Sequence, residues 1–177
     1  MTSAQVRFAE LWEAYAHRVL AYASRHVDAT SAQDVMSETF LVAWRRLQDI
    51  PGDPLPWLLV VARNTISNRR RSVNRARVVE LELTRLARVA WPVAGAEGTA
   101  VARDTMLRTL ASLSSAEREA VLLTAWDGLD ATAAAQVAGC SPSTFSKRLS
   151  RARARLESAH DGDDESDTAG SSSRSAR

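Results

Sequence analysis

Residues 128–156 read GLDATAAAQVAGCSPSTFSKRLSRARARL, and this pattern predicts two short helices joined by a tight turn. Asp130 can cap a first helix that runs through Val137. Residues 139–141 make the turn, and the serine at its end caps a second helix that begins at Pro142, where a missing N–H costs nothing. Two short helices in this arrangement are typical of the helix-turn-helix unit of DNA-binding proteins.

The second helix carries an apolar stripe and an opposite polar face. Residues spaced by four, three and four positions lie on one side of a helix, and here they are Phe145, Leu149, Ala152 and Leu156. Hydroxyls and cations point away from this stripe or flank it: Ser143, Lys147, Ser150, Arg151, Arg148, Arg153 and Arg155. Such a face can enter a major groove and bind phosphates. The alternative is a solvated basic helix on any helical protein, but the turn residues on either side favour DNA binding.

Composition bounds the possible classes of protein. The chain has 177 residues, of which 45% are apolar and 25% charged, enough for one domain or two small ones. No apolar run approaches the roughly 20 residues of a membrane span, and no signal peptide precedes the first helix. Cys140 is the single cysteine, which excludes an intramolecular disulfide and a cysteine-cluster zinc site. We therefore expect a cytoplasmic protein without membrane insertion.

The net charge of +2 conceals two oppositely charged parts. Residues 158–177 hold five acids and two bases, which leaves 21 bases and 16 acids in the rest of the chain. This acidic, serine-rich tail has no apolar face and is predicted to be disordered. The remainder is basic, as expected for a protein that binds nucleic acid.

Almost everything else reads as helix, so the predicted fold is all-α. Predicted helices cover residues 3–26, 31–47, 57–71 with an extension toward Arg88, 103–113, 115–127, and the helix-turn-helix. Ser31 is the predicted cap of the second helix, with Asp34 at the capping-box position, and residues 49–56 are predicted to be non-helical because of their prolines and glycine. Small residues at 92–104 predict a flexible linker between two helical domains, 1–91 and 105–157.

The predicted helix 31–47 has a polar face opposite its apolar one. The apolar face holds Met36, Phe40, Ala43 and Leu47. The opposite face holds Asp34, Glu38, Leu41 and Arg45, with Val35 and Val42 close by. Acids around exposed aliphatic residues form a plausible surface for binding another protein. Leu41 and Val42 packing on a neighbouring helix of the same domain is an equally good interpretation.

The predicted helix 57–71 buries Leu58, Val61, Ala62 and Thr65, and a different stripe is suited to nucleic acid. That stripe holds Trp57, Asn64, Asn68 and Arg71, with Arg63, Arg69 and Arg70 around it. Bases stack on aromatic rings, amides bind base edges and arginines bind phosphates, so this combination suits a single strand. The alternative is a core tryptophan beside a solvated basic helix end.

Catalytic chemistry is not visible in the sequence. The histidines His17, His26 and His160 are scattered, and no metal-binding, phosphate-loop or nucleophile motif occurs. Asp34 and Glu38 lie one turn apart and could hold a metal, but surface acids are the simpler interpretation. We therefore expect no catalytic residue, no metal and no cofactor.

Three segments resemble one family, the extracytoplasmic-function (group 4) sigma factors of the bacterial sigma-70 family. SAQDVMSETFLVAWRRL at 31–47 resembles region 2.2 of that family, and PWLLVVARNTISNRRR at 56–71 resembles regions 2.3 and 2.4. Residues 110–156 are similar to regions 4.1 and 4.2, and the whole resemblance spans roughly residues 6–157. Three motifs in the correct order, split by a linker, are far more specific than one.

The sequence departs from the family pattern at five positions. Ser37 stands where the family usually has glutamine, and Asn68 where aspartate is common. Ala133 and Ala134 stand where glutamate and isoleucine are usual, and Phe145 replaces valine. The larger Phe145 can restore the core volume lost at Ala134.

The resemblance implies a two-domain protein, region 2 and region 4, that directs RNA polymerase to promoters without covalent chemistry. Region 2 would bind the clamp helices of core polymerase through Asp34, Glu38, Leu41 and Arg45. With loop 49–56 it would trap a flipped base of the melted −10 element through Trp57, Arg63, Asn64, Asn68, Arg70 and Arg71. Region 4 would bind the duplex −35 element through Ser143, Thr144, Lys147, Arg148 and Arg151. Core polymerase, promoter DNA and an anti-sigma factor are the implied partners.

Two other classes of protein remain possible from the residues alone. A stand-alone helix-turn-helix repressor or activator would bind duplex DNA without polymerase, but it would not need residues 31–77. A helical interaction protein with no DNA role is disfavoured by the arginine-rich helices.

Overall fold

The computed structural model describes the backbone of residues 2–72 and 107–171, and the side chains of residues 2–69 and 107–158. The predicted linker 92–104, the extension toward Arg88 and residues 172–177 lie outside the described residues, as do the side chains of Arg70 and Arg71. The described part is helical and contains no strand, which confirms the predicted all-α class.

The first two helices begin at side-chain caps. Helix α1, Ser3–His26, starts after Thr2 in a complete capping box with Gln5. Helix α2, Ala29–Arg45, starts after Asp28, whose carboxylate accepts hydrogen bonds from the backbone N–H and the hydroxyl of Ser31 at 2.9 and 2.8 Å. The predicted cap at Ser31 is therefore wrong. Asp28 accepts from the N–H three residues on, so the helix begins earlier.

Helix α3 also begins earlier than predicted. A short 3-10 turn, Leu47–Asp49, follows α2, and α3 runs Pro54–Ser72. Pro54 and Pro56 therefore both lie in its first turn. The first N–H groups of a helix have no intrahelical partner, so prolines are tolerated there. The predicted non-helical segment 49–56 therefore ends at residue 53, because α3 includes residues 54–56.

Packing among the first three helices buries more of α2 and α3 than one apolar stripe. Helix α2 contacts both α1 and α3. Val35, placed by the sequence near the exposed face, is fully buried, while Met36 is only half-buried. In α3 the sequence missed the buried Leu59 and Ile66. A helix that packs between two neighbouring helices has a wider buried face than a helix that packs on one side only.

The second set of helices starts at residues 107–112, α4, and continues with α5, Ser115–Val121. Ser114 and Glu117 form the predicted capping box. The helix then widens into a π turn, Leu122–Trp126, and ends at Gly128, whose φ of 65° confirms the predicted stop.

The helix-turn-helix has the predicted geometry. Helix α6, Ala131–Ala138, is capped by Asp130, and Gly139 follows with φ of 62° in the left-handed region. Helix α7, Pro142–Ser171, packs on α5 and α6 through the buried Phe145, Leu149 and Ala152.

The backbone of α7 remains helical past the predicted boundary at residue 157. The expectation that the tail lacks regular structure is therefore not what the backbone shows up to Ser171. Adding turns to an existing helix avoids the cost of nucleation, which composition alone does not reveal.

The two sets of helices share one core. Apolar residues of α1–α3 and of α5–α7 form a single buried cluster, in which α3 lies against α6. A buried ion pair between Arg25 of α1 and Asp127 also joins the two sets. The sequence predicted two domains on a tether, and it gave no sign of this contact.

Candidate nucleic-acid interface

The outer face of α7 is built around its cap. Ser141 Oγ accepts a hydrogen bond from the backbone N–H of Thr144 at 3.2 Å and donates to Thr144 Oγ1 at 2.9 Å. It also lies 3.1 Å from Ser143 Oγ. These contacts hold two hydroxyls at the N-terminal end of the helix. N-terminal residues of a recognition helix contact base edges in the major groove.

The cations of this helix divide into two groups. Lys147 and Arg151 are exposed, as the sequence predicted, and lie on the same side as Ser143 and Thr144. Arg148 is half-buried and lines a cleft between the two sets of helices. Four of the five predicted residues of this face are therefore open to DNA, and Arg148 is partly turned away.

The predicted nucleic-acid residues of α3 also differ in exposure. Asn64 and Asn68 are exposed, whereas Trp57 and Arg63 are half-buried. Trp57 lies beside Val60 in a depression completed by Ala133 and Gln136 of α6. The predicted residues between 57 and 68 therefore lie on one helix, but α6 lies beside Trp57 and covers part of that side of the helix.

Arg63 faces groups from the other set of helices. Its Nε lies 3.9 Å from Glu119 Oε1. A Cβ built on Gly139 would lie 2.5 Å from Arg63 Nη1, so only glycine fits there without displacing the guanidinium. Gly139 thereby combines a left-handed backbone with a close approach of Arg63.

Two family descriptions match the parts of the chain that form these faces. Sigma-70 region 2 matches residues 11–76, and Sigma-70, region 4, matches residues 103–156. The RNA polymerase sigma factor NccH of Alcaligenes xylosoxydans xylosoxydans is 31% identical over 153 residues, covering 78% of this chain and 79% of the relative. The chain belongs to the extracytoplasmic-function sigma factors. It functions in promoter recognition and transcription initiation.

Other similar proteins also match this sigma factor over most of its length. The ECF RNA polymerase sigma-E factor of Escherichia coli is 29% identical over 154 residues, with 81% of each chain covered. The solved structure of CnrH in complex with the cytosolic domain of CnrY is 31% identical, with a TM-score of 0.55 and 88% of each chain covered. RpoE of Bartonella quintana, solved with the anti-sigma factor NepR, shares the fold with a TM-score of 0.60 at 23% identity, over 87% of this chain and 96% of that one.

The acidic face of region 2 is already occupied by a side chain of the same domain. Arg69 of α3 donates to Asp34 Oδ2 at 3.0 Å and also to Glu38 Oε1. These hydrogen bonds, the one to Glu38 first, raise the pKa of Arg69. All three side chains are at least one-third exposed. The two predicted polymerase-binding acids therefore form one unit with the predicted −10 helix.

An exposed apolar patch lies beside these acids, and the sequence identified only part of it. Leu41 is 49% exposed, Trp44 43% and Trp12 38%. The Trp44 ring lies edge-on to Phe8 with centroids 5.1 Å apart, which fixes its orientation. Trp44 follows Leu41 by three positions, so helical spacing could have revealed it. Arg45 is also exposed.

No metal or membrane feature emerges within residues 2–72 and 107–171. That part of the chain contains no group of three or more histidine, cysteine or acidic side chains placed to hold a metal ion. None of its helices is long and apolar enough to cross a membrane.

Proposed function

We propose that this sigma factor uses three faces for three partners: α2 for core polymerase, α3 for the melted −10 strand, and α7 for the −35 duplex. The observation that carries the proposal is that two helices of one chain expose polar residues of different character. One presents hydroxyls and cations on a helix-turn-helix, and the other presents amides beside an aromatic ring.

For α7, the exposed polar residues support reading of duplex DNA. Ser143 and Thr144 lie at the helix N-terminus, where small side chains allow close approach to bases. Lys147 and Arg151 follow at a spacing that keeps them on the same side. We assign base and phosphate contacts to these two and a phosphate contact to Arg148.

For α3, the exposed amides support binding of a single strand. Asn64 and Asn68 lie one turn apart, and Trp57 lies two turns before Asn64. A base extruded from the duplex can stack on the indole and hydrogen-bond to an amide, with Arg63, Arg70 and Arg71 assigned to the backbone. Since these contacts form only with the melted strand, they lower the free energy of the open promoter relative to the duplex.

For α2, the acids and the apolar patch support docking on core polymerase. Asp34, Glu38, Leu41 and Arg45 are all exposed, and Trp44 extends the apolar part. Exposed aromatic residues surrounded by charge are typical of protein interfaces. Trp44 is therefore added to the residues assigned from the sequence.

The proposal also covers regulation and location. The structures of CnrH with the cytosolic domain of CnrY and of RpoE with the anti-sigma factor NepR support an anti-sigma partner for this chain. We assign the protein to the cytoplasm, where promoters and polymerase are found. We assign it no enzymatic activity of its own, no metal and no cofactor.

Run-off transcription with core polymerase on genomic DNA tests the proposal. Core polymerase with this chain should yield discrete transcripts, and core polymerase alone should not. The Lys147→Ala variant should lose transcripts, whereas His17→Ala, at an exposed position of α1 outside the three faces, should retain them. A chain that binds duplex DNA but never yields transcripts would instead be a stand-alone regulator.

A further inference from the structure

Helices of both domains line one cleft with a volume of about 360 Å³. The side chains on its walls that can donate hydrogen bonds come from α1, α3, α5 and α7, and they are Tyr22, His26, Arg63, Ser67, Ser115 and Arg148. Glu119 of α5 lines the same cleft. Pockets of about 300–1,000 Å³ commonly hold small molecules. The cleft is therefore large enough for a small ligand, and most of its polar side chains are donors.

The two arginines of this cleft have donors without acceptors in the described part of the chain. Arg148 is half-buried, and it makes no hydrogen bond or ion pair with a described residue. Arg63 is also half-buried, and its Nε lies 3.9 Å from Glu119 Oε1, which is too long for a hydrogen bond. Each guanidinium carries five N–H donors. Partial burial removes water from such donors, so a ligand that supplies oxygen acceptors is favoured there.

The position of Arg63 is set by the turn of the helix-turn-helix. Gly139 also lines the cleft, and a Cβ built on it would lie 2.5 Å from Arg63 Nη1. The guanidinium therefore packs against a backbone that has no side chain at this position. A donor that is held in place before a ligand arrives loses less conformational entropy on binding. Arg63 is thus preorganised for a ligand in the cleft.

The charges of the cleft favour a small anion. Arg63 and Arg148 carry two positive charges, against the one negative charge of Glu119. Ser67 and Ser115 add hydroxyls that can donate to the same ligand. Guanidinium groups bind phosphate oxygens through paired, charge-assisted hydrogen bonds, and a phosphate offers oxygens in several directions. A phosphate group can therefore bind both arginines at once, whereas a cation or an apolar molecule would leave their donors unused.

We propose that this cleft binds a small phosphate anion between Arg63 and Arg148. The proposed function assigns both arginines to DNA backbones, Arg63 to the −10 strand and Arg148 to the −35 duplex. A phosphate anion in the cleft occupies the same donors and so competes with promoter DNA. This competition rests on the proposed assignment of the two faces, whereas the binding site itself does not.

Calorimetric titration of the full chain tests the site without polymerase or DNA. The probes are sodium pyrophosphate and adenosine monophosphate at one ionic strength, and the tighter of the two distinguishes an inorganic anion from a nucleotide. Arg148→Gln removes one guanidinium from the cleft, and Arg63→Gln removes the other. Lys147→Gln and Arg151→Gln are the matched controls, since both residues are exposed cations of α7 outside the cleft. Circular dichroism of each variant checks that its helices are retained.

The unmodified chain should bind one anion per chain. Arg148→Gln and Arg63→Gln should each weaken binding by about tenfold or more, because each removes charge-assisted hydrogen bonds. The two controls should bind as the unmodified chain does. A loss of helicity in Arg63→Gln would leave Arg148→Gln as the deciding variant. Absence of saturable binding of either probe, or an equal loss in the control and cleft variants, would overturn the site, because only the general positive charge would then attract the anion.

Fluorescence anisotropy of a labelled −35 duplex tests the competition. Saturating pyrophosphate should weaken duplex binding by the unmodified chain more than sodium chloride of equal ionic strength does, and Arg148→Gln should abolish that excess. The same weakening in both salts would refute the competition. Anion binding with the expected variant pattern, in a chain that yields no run-off transcripts, would refute the proposed function alone. Transcripts from a chain that binds no anion would refute the cleft site alone.

Discussion

The two nucleic-acid faces of this sigma factor differ in how much of each is open. On α7, Ser143, Thr144, Lys147 and Arg151 are exposed, and only Arg148 turns toward the other domain. On α3, Asn64 and Asn68 are exposed, but Trp57 and Arg63 lie against region 4. The proposed duplex-binding face is thus almost fully exposed in this structure, and the proposed strand-binding face is not.

This difference matches the order in which the two faces would be used. Duplex DNA exists before melting, so a face that binds duplex can be open from the start. A face that stabilises a melted strand is needed only after polymerase has engaged the promoter. Covering Trp57 and Arg63 until then would suppress unproductive binding to single strands, whose affinity depends little on sequence.

The largest expected effect is a loss of stability at the contact that covers part of the α3 face. Asp127→Ala should lower the free energy of unfolding by about 3–5 kcal/mol, because Arg25 is left as an unpaired buried charge. Chemical denaturation followed by circular dichroism measures this loss. Arg46→Ala disrupts an ion pair whose side chains are 58% and 55% exposed and should cost less than about 1 kcal/mol. Similar losses for the two variants would mean that the buried Arg25–Asp127 ion pair contributes no more to stability than an exposed one.

The next prediction concerns the open face. Lys147→Ala and Arg151→Ala should each weaken binding to −35 duplex, by about 1–3 kcal/mol at one base position where the lost contact was to a base. Where the lost contact was to phosphate, all sequences should weaken alike and the salt slope should fall by about one. Binding to a set of single-base variants, measured at several salt concentrations, separates these cases. Uniform weakening on every sequence for both variants would show that neither residue reads a base.

A smaller effect is expected on the strand-binding face. Asn64→Ala should weaken binding to the melted −10 strand by about 1 kcal/mol, the size of one hydrogen bond. Initial duplex binding should not change. Permanganate footprinting of the promoter bubble measures melting, and His17→Ala provides an exposed position on α1 as the control. An unaltered bubble would make the Trp57–Asn64–Asn68 stripe structural.

The same comparison shows what the sequence could predict. The cap at Ser141, the turn at Gly139 and the stripe of Phe145 and Leu149 depend on neighbours within a few positions, and all were predicted correctly. The burial of Val35 depends on two flanking helices, and the Arg25–Asp127 ion pair joins residues 102 positions apart. No local pattern records such contacts. The same holds for Arg69, whose two acidic partners lie on another helix.

A further prediction tests whether the −10 helix and the acidic face act together. Arg69→Gln should change affinity for core polymerase by about 0.2–1 kcal/mol, because it frees Asp34 and Glu38 from an exposed ion-pair cluster. Affinity should rise if polymerase presents cations to the freed acids, and fall if Arg69 orients them. Titration of labelled core polymerase measures the change, with Arg46→Ala as an exposed-arginine control. No change would mean that the two acids bind independently of α3.

The smallest expected effect depends on pH and lies within region 4. Hydrogen bonds from the Ser114 hydroxyl and backbone N–H, with Arg155 nearby, lower the pKa of Glu117 below its ordinary value of 4.5. A lowered pKa means that the ionised form stabilises the fold. This contribution is complete above 4.5 and is lost as the pH falls through the lower value of the folded state.

Thermal unfolding of the full chain between pH 7 and pH 3 tests this prediction against Glu117→Gln, which cannot ionise. The unmodified chain should be more stable at pH 7, and the difference should shrink below pH 4.5. Burial raises the pKa of the Asp127 carboxyl against the opposing effect of Arg25. The Glu117 difference must therefore be measured in chains that are otherwise identical. A stability difference that is constant with pH would show that the cap at Ser114 does not depend on the charge of Glu117.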